Sequence, residues 1–522
     1  MTARMDVRRV LARNTAWNYG GFAINLVTNL LMFPFVVHRL GDAASGVWLL
    51  LAAVTGYMGL LELGIVPSLT QTVAAALARG ERDGASRAAS SSLALLVGLA
   101  MTSLLLLTGA PALVGVLKIP PDLEPQALLA LRVAIVGFAL RMPLATYQGI
   151  LLGSQRQDRC NQLWMAIGLA KFLWAATILT LGYGLVALVA GEMVVHLLAG
   201  ALQVKWVFIE IPTLRLSWRL VSSADITQLL SFGTAILAVT ICSLVIEQAD
   251  RLVVAWFLPI GLVTHYAAAW KLYMLAFALT TTFVQAVSPL AARLHGLSDR
   301  RELTSLFLRT TKYSTIIAWP LVLSLGFAGG FLLHVWMGEA FVNSLATVQV
   351  LVVAFIVTAH NHAGYSALIG MRRVGPLVWR YFVPQAILNL ALSIFFVRRL
   401  GIVGVALGTM LPAIVLEGAY LGFVLKELRV TWRDFLMRAV VPVAVPALLA
   451  FSPLVLTYLR VDHRSPVLAA AAAGCTLVYA ILVWRLLNSD ERQDVLEFVP
   501  QFFLERAPMV SPRVAARSGE RA

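Results

Sequence analysis

The chain has 522 residues, of which 60% are hydrophobic and 13% charged, with a mean hydropathy of +0.83, which excludes a soluble domain because so much apolar surface cannot be buried in one. The apolar runs are long and continuous rather than alternating, which excludes a transmembrane β-barrel and leaves an all-α polytopic membrane protein. A net charge of +15 would point a soluble protein toward nucleic acid; here the placement of the bases decides its meaning. Residues 1–16 are basic but lack the apolar core and cleavage site of a signal peptide, so they are read as a retained cytoplasmic tail. Apolar stretches predict spans at 17–37, 46–76, 88–109, 128–151, 161–181 and 184–203, an N-terminal six-helix lobe over 17–203. The segment 204–228 is basic and amphipathic; it is predicted to lie along the inner membrane surface and let two lobes move against each other. Spans at 229–257, 262–290, 313–335, 346–369, 377–397 and 401–424 form a second lobe over 229–424. Two additional spans within 438–486, at 438–459 and 466–486, and a polar cytoplasmic tail over 487–522 complete about fourteen transmembrane helices.

The basic residues set the orientation. With both termini cytoplasmic, 30 of the 41 Lys and Arg fall in the tails and inner loops, six fall outside, and five lie within spans. Topology therefore accounts for the excess, and no nucleic-acid partner is needed. The three cysteines, Cys160, Cys242 and Cys475, are too far apart to form a disulfide framework or a metal motif.

The sequence also repeats. Trp48 of "SGVW" and Trp270 of "AAAW" are 222 residues apart, as are Pro67 and Pro289. Gly153 of "YQGILLGSQR" and Gly370 of "YSALIGMRR" are 217 apart; "VAL" recurs at 186–188 and 405–407, 219 apart. Four anchors in order at a nearly constant offset predict two pseudo-symmetric lobes of like orientation around a central cavity.

Charges inside spans are costly and mark candidate sites. In "IEQADRLVV", Glu247, Asp250 and Arg251 stand at i, i+3 and i+4, on a polar stripe with Thr240 and Ser243. Either Arg251 neutralises the acids and locks the helix, or the carboxylates bind a cation or proton. Glu192 and His196 form an i, i+4 pair in span six, open to a proton-coupling or a purely structural reading. Glu62 lies in span two and Glu417 in span twelve. Among the bases, Arg141, Lys171 and Lys271 lie within spans four, five and eight, Lys271 on a face with Thr282 and Gln285; Arg132 is placed to snorkel. "HNH" at 360–362 is too short to define a metal site, and no cofactor motif or phosphate loop occurs, so no ATP hydrolysis is expected.

The stretch 18–65, with "LGDAASGVW" and "GLLELGI", together with "QADRLVVAWFLPIG" (248–261) and "GILLGSQR", resembles the bacterial polysaccharide flippases of the multidrug/oligosaccharidyl-lipid/polysaccharide exporter (MOP) superfamily. It departs at Glu62, where the family favours Asp. The resemblance implies a V-shaped two-lobe bundle in the bacterial inner membrane. Its cargo would be an undecaprenyl-pyrophosphate-linked oligosaccharide, of the O-antigen or exopolysaccharide kind, moved by alternating access without ATP, and polysaccharide polymerase or export machinery would be a partner. For such an anionic cargo, Arg141, Lys171, Lys271 and Arg251 are the cavity cations expected to bind it. Glu247, Asp250, Glu192, His196 and Glu62 are the candidates for coupling to H+ or Na+. Three other readings stay open: a peptidoglycan-precursor flippase, a cation-coupled drug exporter, and a membrane glycosyltransferase or polymerase. The five intramembrane bases balanced by five acids argue against the exporter, and the short outer loops against the enzyme.

Overall fold

The computed structural model describes residues 2–117, 119–281, 284, 287–297, 299–371, 377–489 and 491–493, and within these the side chains other than those of 2–20, 22, 23, 232–239 and 289. Thr282, Gln285, the side chains of the N-terminal tail and of Pro289, and the tail beyond 493 lie outside the described residues. Among the described residues, eleven helices are long and apolar enough to cross a bilayer. Helices dominate because a lipid core offers no partner to a free amide, so each segment must satisfy its own backbone.

Two of the eleven contain two crossings each. Thr2–Met58 breaks at Gly41 (φ 77°, ψ 166°) and Val383–Pro412 breaks at Gly401 (φ 59°, ψ −139°). Positive φ is cheap only for glycine, and here it turns the chain back on itself. After Gly401 the reversal brings Thr409 to Asn389, 3.0 Å apart. Counting both as pairs and adding Ser223–Phe257 gives fourteen crossings. In chain order they cover 2–40, 42–78, 82–103, 124–153, 157–180, 185–210, 223–257, 261–296, 300–337, 345–370, 377–400, 402–428, 432–458 and 466–486.

The lobes repeat one packing plan. Span one lies on span five as seven lies on eleven; two lies on four as eight on ten; four on six as ten on twelve. The anchor glycines take part. A Cβ on Gly153 would meet Thr70 O at 2.8 Å and Val73 Cβ at 3.0 Å; one on Gly370 would strike Ser288 O and meet Ala292 N at 2.9 Å, about 218 residues further along in each case. The Leu-Gly pairs ending spans five and eleven match as well, with Gly182 at φ 85° and Gly401 at φ 59°. Spans thirteen and fourteen pack on each other and on span nine around Phe451, Leu454 and Tyr479.

The lobes meet at the end of the bundle that holds the Gly41 turn. Thr264 Oγ1 of span eight donates to Asp42 O at 2.8 Å, His265 Nε2 lies 3.5 Å from Asp42 Oδ2, and Trp336 Nε1 donates to Leu30 O at 2.8 Å. Gly46 abuts the carbonyl of Ile260, so no larger residue fits in this seam.

The structure departs from expectation in the linker. Helix Leu185–Glu210 runs through its first part and helix Ser223–Phe257 begins before its end, leaving only 211–222 between them. This piece is not an amphipathic helix. It is extended over 214–217, with Leu214 buried and Arg215 exposed, closes in a 3-10 turn at Trp218–Leu220, and is tied to the N-terminal lobe. Hydroxyls of Ser86, Ser90 and Ser91 on span three accept from the backbone N–H of Arg215, Ser217 and Ser222 at 3.2, 3.2 and 3.0 Å. An extended segment needs acceptors for its amides, and the serine run supplies them. Replacing all three serines by Ala removes these acceptors at roughly 1 kcal/mol each. The expected result is faster protease cleavage within 211–222 and a lower Tm, with little change in membrane insertion.

Candidate functional site: two polar clusters within the membrane

The expected long second span is interrupted. Its helix ends at Met58, a 3-10 turn covers Gly59–Glu62, and Leu63 and Gly64 take φ 50° and 68° before Ile65–Ala78 resumes. Interrupted membrane helices are where transporters expose polar backbone and side chains to a cavity.

The first break places Glu62 beside Arg141, with Oε1 to Nη2 at 3.8 Å. Next to this pair a cavity of ≈ 290 Å³ opens among spans two, four, five and six, and Arg141, Lys171, Glu192, His196, Trp48 and Thr55 line it. Lys171 Nζ stands 3.9 Å from Glu192 Oε2. Both ion pairs exceed hydrogen-bonding distance, so an oxygen anion can enter between their members without first breaking a short bond. The expected pair of Glu192 with His196 shares this cavity, but no hydrogen bond joins them among the described residues. Gly56, on the cavity wall, approaches the second lobe: a Cβ on it would lie 3.9 Å from Gln248 Cγ.

The second cluster surrounds Asp250, which is 1% exposed. Its Oδ2 accepts from Tyr266 Oη and from Thr409 Oγ1 (2.8 Å); its Oδ1 accepts from Ser393 Oγ at 3.3 Å. Asn389 Nδ2 donates to Thr409 Oγ1 at 3.0 Å, while its Oδ1 is buried with no hydrogen-bond partner. The carbonyl of Val405 lies 3.2 Å from Ser393 Oγ and 3.5 Å from Thr409 Oγ1. Spans seven, eight, eleven and twelve thus converge oxygens on one carboxylate.

Arg251 does not ion-pair directly with Asp250, although Asp250 and Glu247 lie near enough to attract it. Consecutive helical residues point about 100° apart and do not face each other. Arg251 Nη1 instead donates to Gln248 Oε1 at 2.9 Å, and among the described residues no carboxylate lies in ion-pair reach of it. Glu247 is exposed and pairs with no base among those residues. Lys271 also has no carboxylate; its Nζ sits 4.9 Å over the ring of Phe33, in span one of the opposite lobe. Glu417 is held apart from both clusters by Asn361 Nδ2 (3.3 Å) and Gln385 Nε2 (3.3 Å). Sequence reasoning missed Tyr266, Asn389, Ser393 and Thr409. The i, i+4 spacing of Asn389 and Ser393 in an apolar span was the available signal.

The fold is thus one of two parallel six-helix repeats with polar groups gathered inside the bundle. Known structures agree on the fold. A multidrug resistance MATE family transporter of the MOP superfamily, inward-facing, superposes with a TM-score of 0.68 at 16% identity over 78% of this chain and 94% of its own. The lipid II flippase MurJ in an inward closed conformation does so with 0.72 at 13% identity, over 92% of this chain and 99% of its own. In sequence, the chain is 23% identical over 427 residues to the "Putative O-antigen transporter" of Shigella flexneri, covering 78% of this chain and 97% of that one. A family model described as "Polysaccharide biosynthesis protein" matches residues 91–346. The chain is thus similar in sequence to proteins of polysaccharide biosynthesis and O-antigen transport, and in fold to transporters and flippases.

Proposed function

We propose that the protein flips an undecaprenyl-pyrophosphate-linked oligosaccharide, an O-antigen or exopolysaccharide repeat unit, across the bacterial inner membrane by alternating access, with both termini cytoplasmic. The observation that carries the reading is the state of the intramembrane bases. Arg251 and Lys271 lie inside the bundle with no direct ion pair to a carboxylate among the described residues, and Arg141 and Lys171 are held only in loose pairs. Buried charge without a counter-ion costs several kcal/mol, so such bases are retained for an anion that visits. A pyrophosphate beside its lipid is that anion, and the four bases sample both lobes. The S. flexneri relative, by its name, supports O-antigen as the cargo class.

For coupling, we propose the Asp250 cluster as the site of H+ or Na+ exchange. A carboxylate, two hydroxyls, the Tyr266 phenol, the Val405 carbonyl and the unpartnered Asn389 Oδ1 form an all-oxygen set suited to a small hard cation. Glu62 and Glu192 with His196 would then serve the cargo cavity, where their charge offsets the bases until the anion arrives. Glu247, unpaired, is the weaker candidate.

A second reading has specific support. The likeness to MurJ, a lipid II flippase, covers 92% of this chain and 99% of that one. A peptidoglycan precursor would need the same cations. Genetic depletion separates the two: accumulation of a lipid-linked polysaccharide repeat supports our reading, and accumulation of the peptidoglycan precursor with cell lysis overturns it.

The pairing pattern gives a further test. Lys171→Ala should lower export, and adding Glu192→Gln should recover part of it, because the double change removes an isolated acid. Lys271→Ala has no paired acid to neutralise, so export should fall at least about tenfold, a loss of about 1.4 kcal/mol or more in transition-state stabilisation. Surface glycan measured against membrane abundance reads both results.

A further inference from the structure

Glu417 is an intramembrane acid that neither cluster uses. It closes a π-turn, Ala413–Glu417, in span twelve, a local widening of the helix of the kind that recurs at functional sites. Asn361 Nδ2 of span ten donates to its backbone O at 2.8 Å and to its Oε2 at 3.3 Å, and Gln385 Nε2 of span eleven donates to its Oε1 at 3.3 Å. Both amides are buried. No Lys or Arg lies in ion-pair reach of the carboxyl among the described residues. Its titratable neighbours are phenols: Tyr420, one turn along span twelve, and Tyr273 of span eight lie near enough to feel its charge. The histidines of span ten turn elsewhere. His360 Nδ1 lies 2.6 Å from Ile356 O with its ring against Phe435 of span thirteen, and the ring of His362 meets Phe277 of span eight edge-on at 4.9 Å. Two polar atoms at the site are left over: Asn361 Oδ1 and Tyr420 Oη are buried with no hydrogen-bond partner, in side chains that are each 4% exposed.

Two NH2 groups aimed at a carboxylate hold off a metal ion, in contrast to the oxygens that converge on Asp250, but they do not exclude a proton. An amide can also serve both forms of a carboxyl. Its NH2 donates to the carboxylate, and after a half-turn its oxygen accepts from the acid O–H. Asn361 Oδ1, buried and unpartnered, is the acceptor that the acid form needs. We propose that Glu417 is a proton-binding site, and that its protonation turns the Asn361 amide over and so breaks the tie from Asn361 Nδ2 to the backbone of span twelve. The proton comes from water and returns to it, and no other reactant is needed. The tie lies eight residues beyond Thr409, across the π-turn, so its release frees the part of span twelve that brings Val405 and Thr409 to the Asp250 cluster. The inference rests on the flippase reading for its place in the cycle: Asp250 binds the driving ion, and Glu417 sets whether span twelve can follow.

The test uses the full chain in nanodiscs without cargo. Infrared difference spectra between alkaline and acid pH read carboxyl protonation. Hydrogen exchange, corrected for the intrinsic effect of pH, reads the backbone around the π-turn. The wild type should show a carboxylic-acid band that Glu417→Gln lacks and Asp250→Asn keeps, with exchange over 413–421 several-fold faster in acid. Glu417→Gln should exchange alike at both pH values. Asn361→Leu should keep the band but exchange fast at both, since it has no tie to release. An unchanged band in Glu417→Gln, or exchange that still depends on pH in either variant, would overturn the proposal. Should Glu417→Gln not insert, Asn361→Leu alone decides. Neither readout involves cargo or a gradient, so both stand if the flippase reading fails, and their failure with transport intact sinks this inference alone.

Discussion

Asp250→Asn is expected to abolish the response of transport to an imposed H+ or Na+ gradient and to reduce glycan export by at least about tenfold, or about 1.4 kcal/mol. The side chain keeps its shape and its buried place, so spans seven, eight, eleven and twelve stay together. What changes is charge and acceptor capacity. The carboxylate accepts from Tyr266, Ser393 and Thr409 at once. An amide supplies a single acceptor oxygen and places an NH2 against at least one hydroxyl. With its anion gone, the site can neither bind a cation nor exchange a proton. Glu247→Gln, on an exposed side chain of the same helix, should leave the gradient response largely intact. Uptake or flipping in vesicles with opposed gradients measures both. A full gradient response in Asp250→Asn would move coupling elsewhere, with Glu192 and His196 next in line.

The second large effect concerns folding. Gly408→Ala should lower membrane abundance severely, whereas Gly474→Ala should be neutral. A Cβ on Gly408 would collide with Ser393 Oγ and N and come within 2.6 Å of Ser393 Cα; a Cβ on Gly474 meets nothing within 4 Å. Small residues let transmembrane helices approach closely, and here the obstacle is backbone, which cannot swing aside as a side chain can. Overpacking of this kind costs about 1–3 kcal/mol or more. The change also separates Ser393 and Thr409 from Asp250, so whatever protein survives should lose ion coupling too. Quantitative blotting of membranes, with thermal unfolding of the purified remainder, checks it. Normal abundance would mean that spans eleven and twelve do not pack as described.

Much of this was readable in the chain. Uninterrupted apolar runs announced the helices, because a bilayer admits no other continuous element here. The offsets of Trp48 to Trp270 and Gly153 to Gly370 announced the two lobes, because like surfaces conserve like close approaches. Local spacing served well for Glu192, which does face a cavity, and for Lys171 and Arg141 beside it. It failed where partners lie far off in sequence. Asp250 finds Ser393 and Thr409 at separations of 143 and 159 residues, and no helical face argument reaches that far. The nearer base, Arg251, was an attractive but geometrically wrong partner. The break at Gly59–Gly64 was written in the adjacent Leu63 and Gly64 only as weak turn propensity, and the run "SSS" at 90–92 became intelligible once the extended linker lay beside it.

The central claim is that the intramembrane bases carry a lipid pyrophosphate across the membrane. Its most direct test is reconstitution of the full chain in liposomes containing a fluorescent polyprenyl-pyrophosphate oligosaccharide in both leaflets, followed by a membrane-impermeant reductant that destroys only the outer-leaflet signal. Wild-type protein should expose the inner-leaflet pool as well when an ion gradient is imposed, and Lys271→Ala, equally well incorporated, should leave that pool protected. If the inner pool stays protected with wild-type protein under H+ and Na+ gradients of either direction, or if Lys271→Ala exposes it as fast as wild type, the account is contradicted.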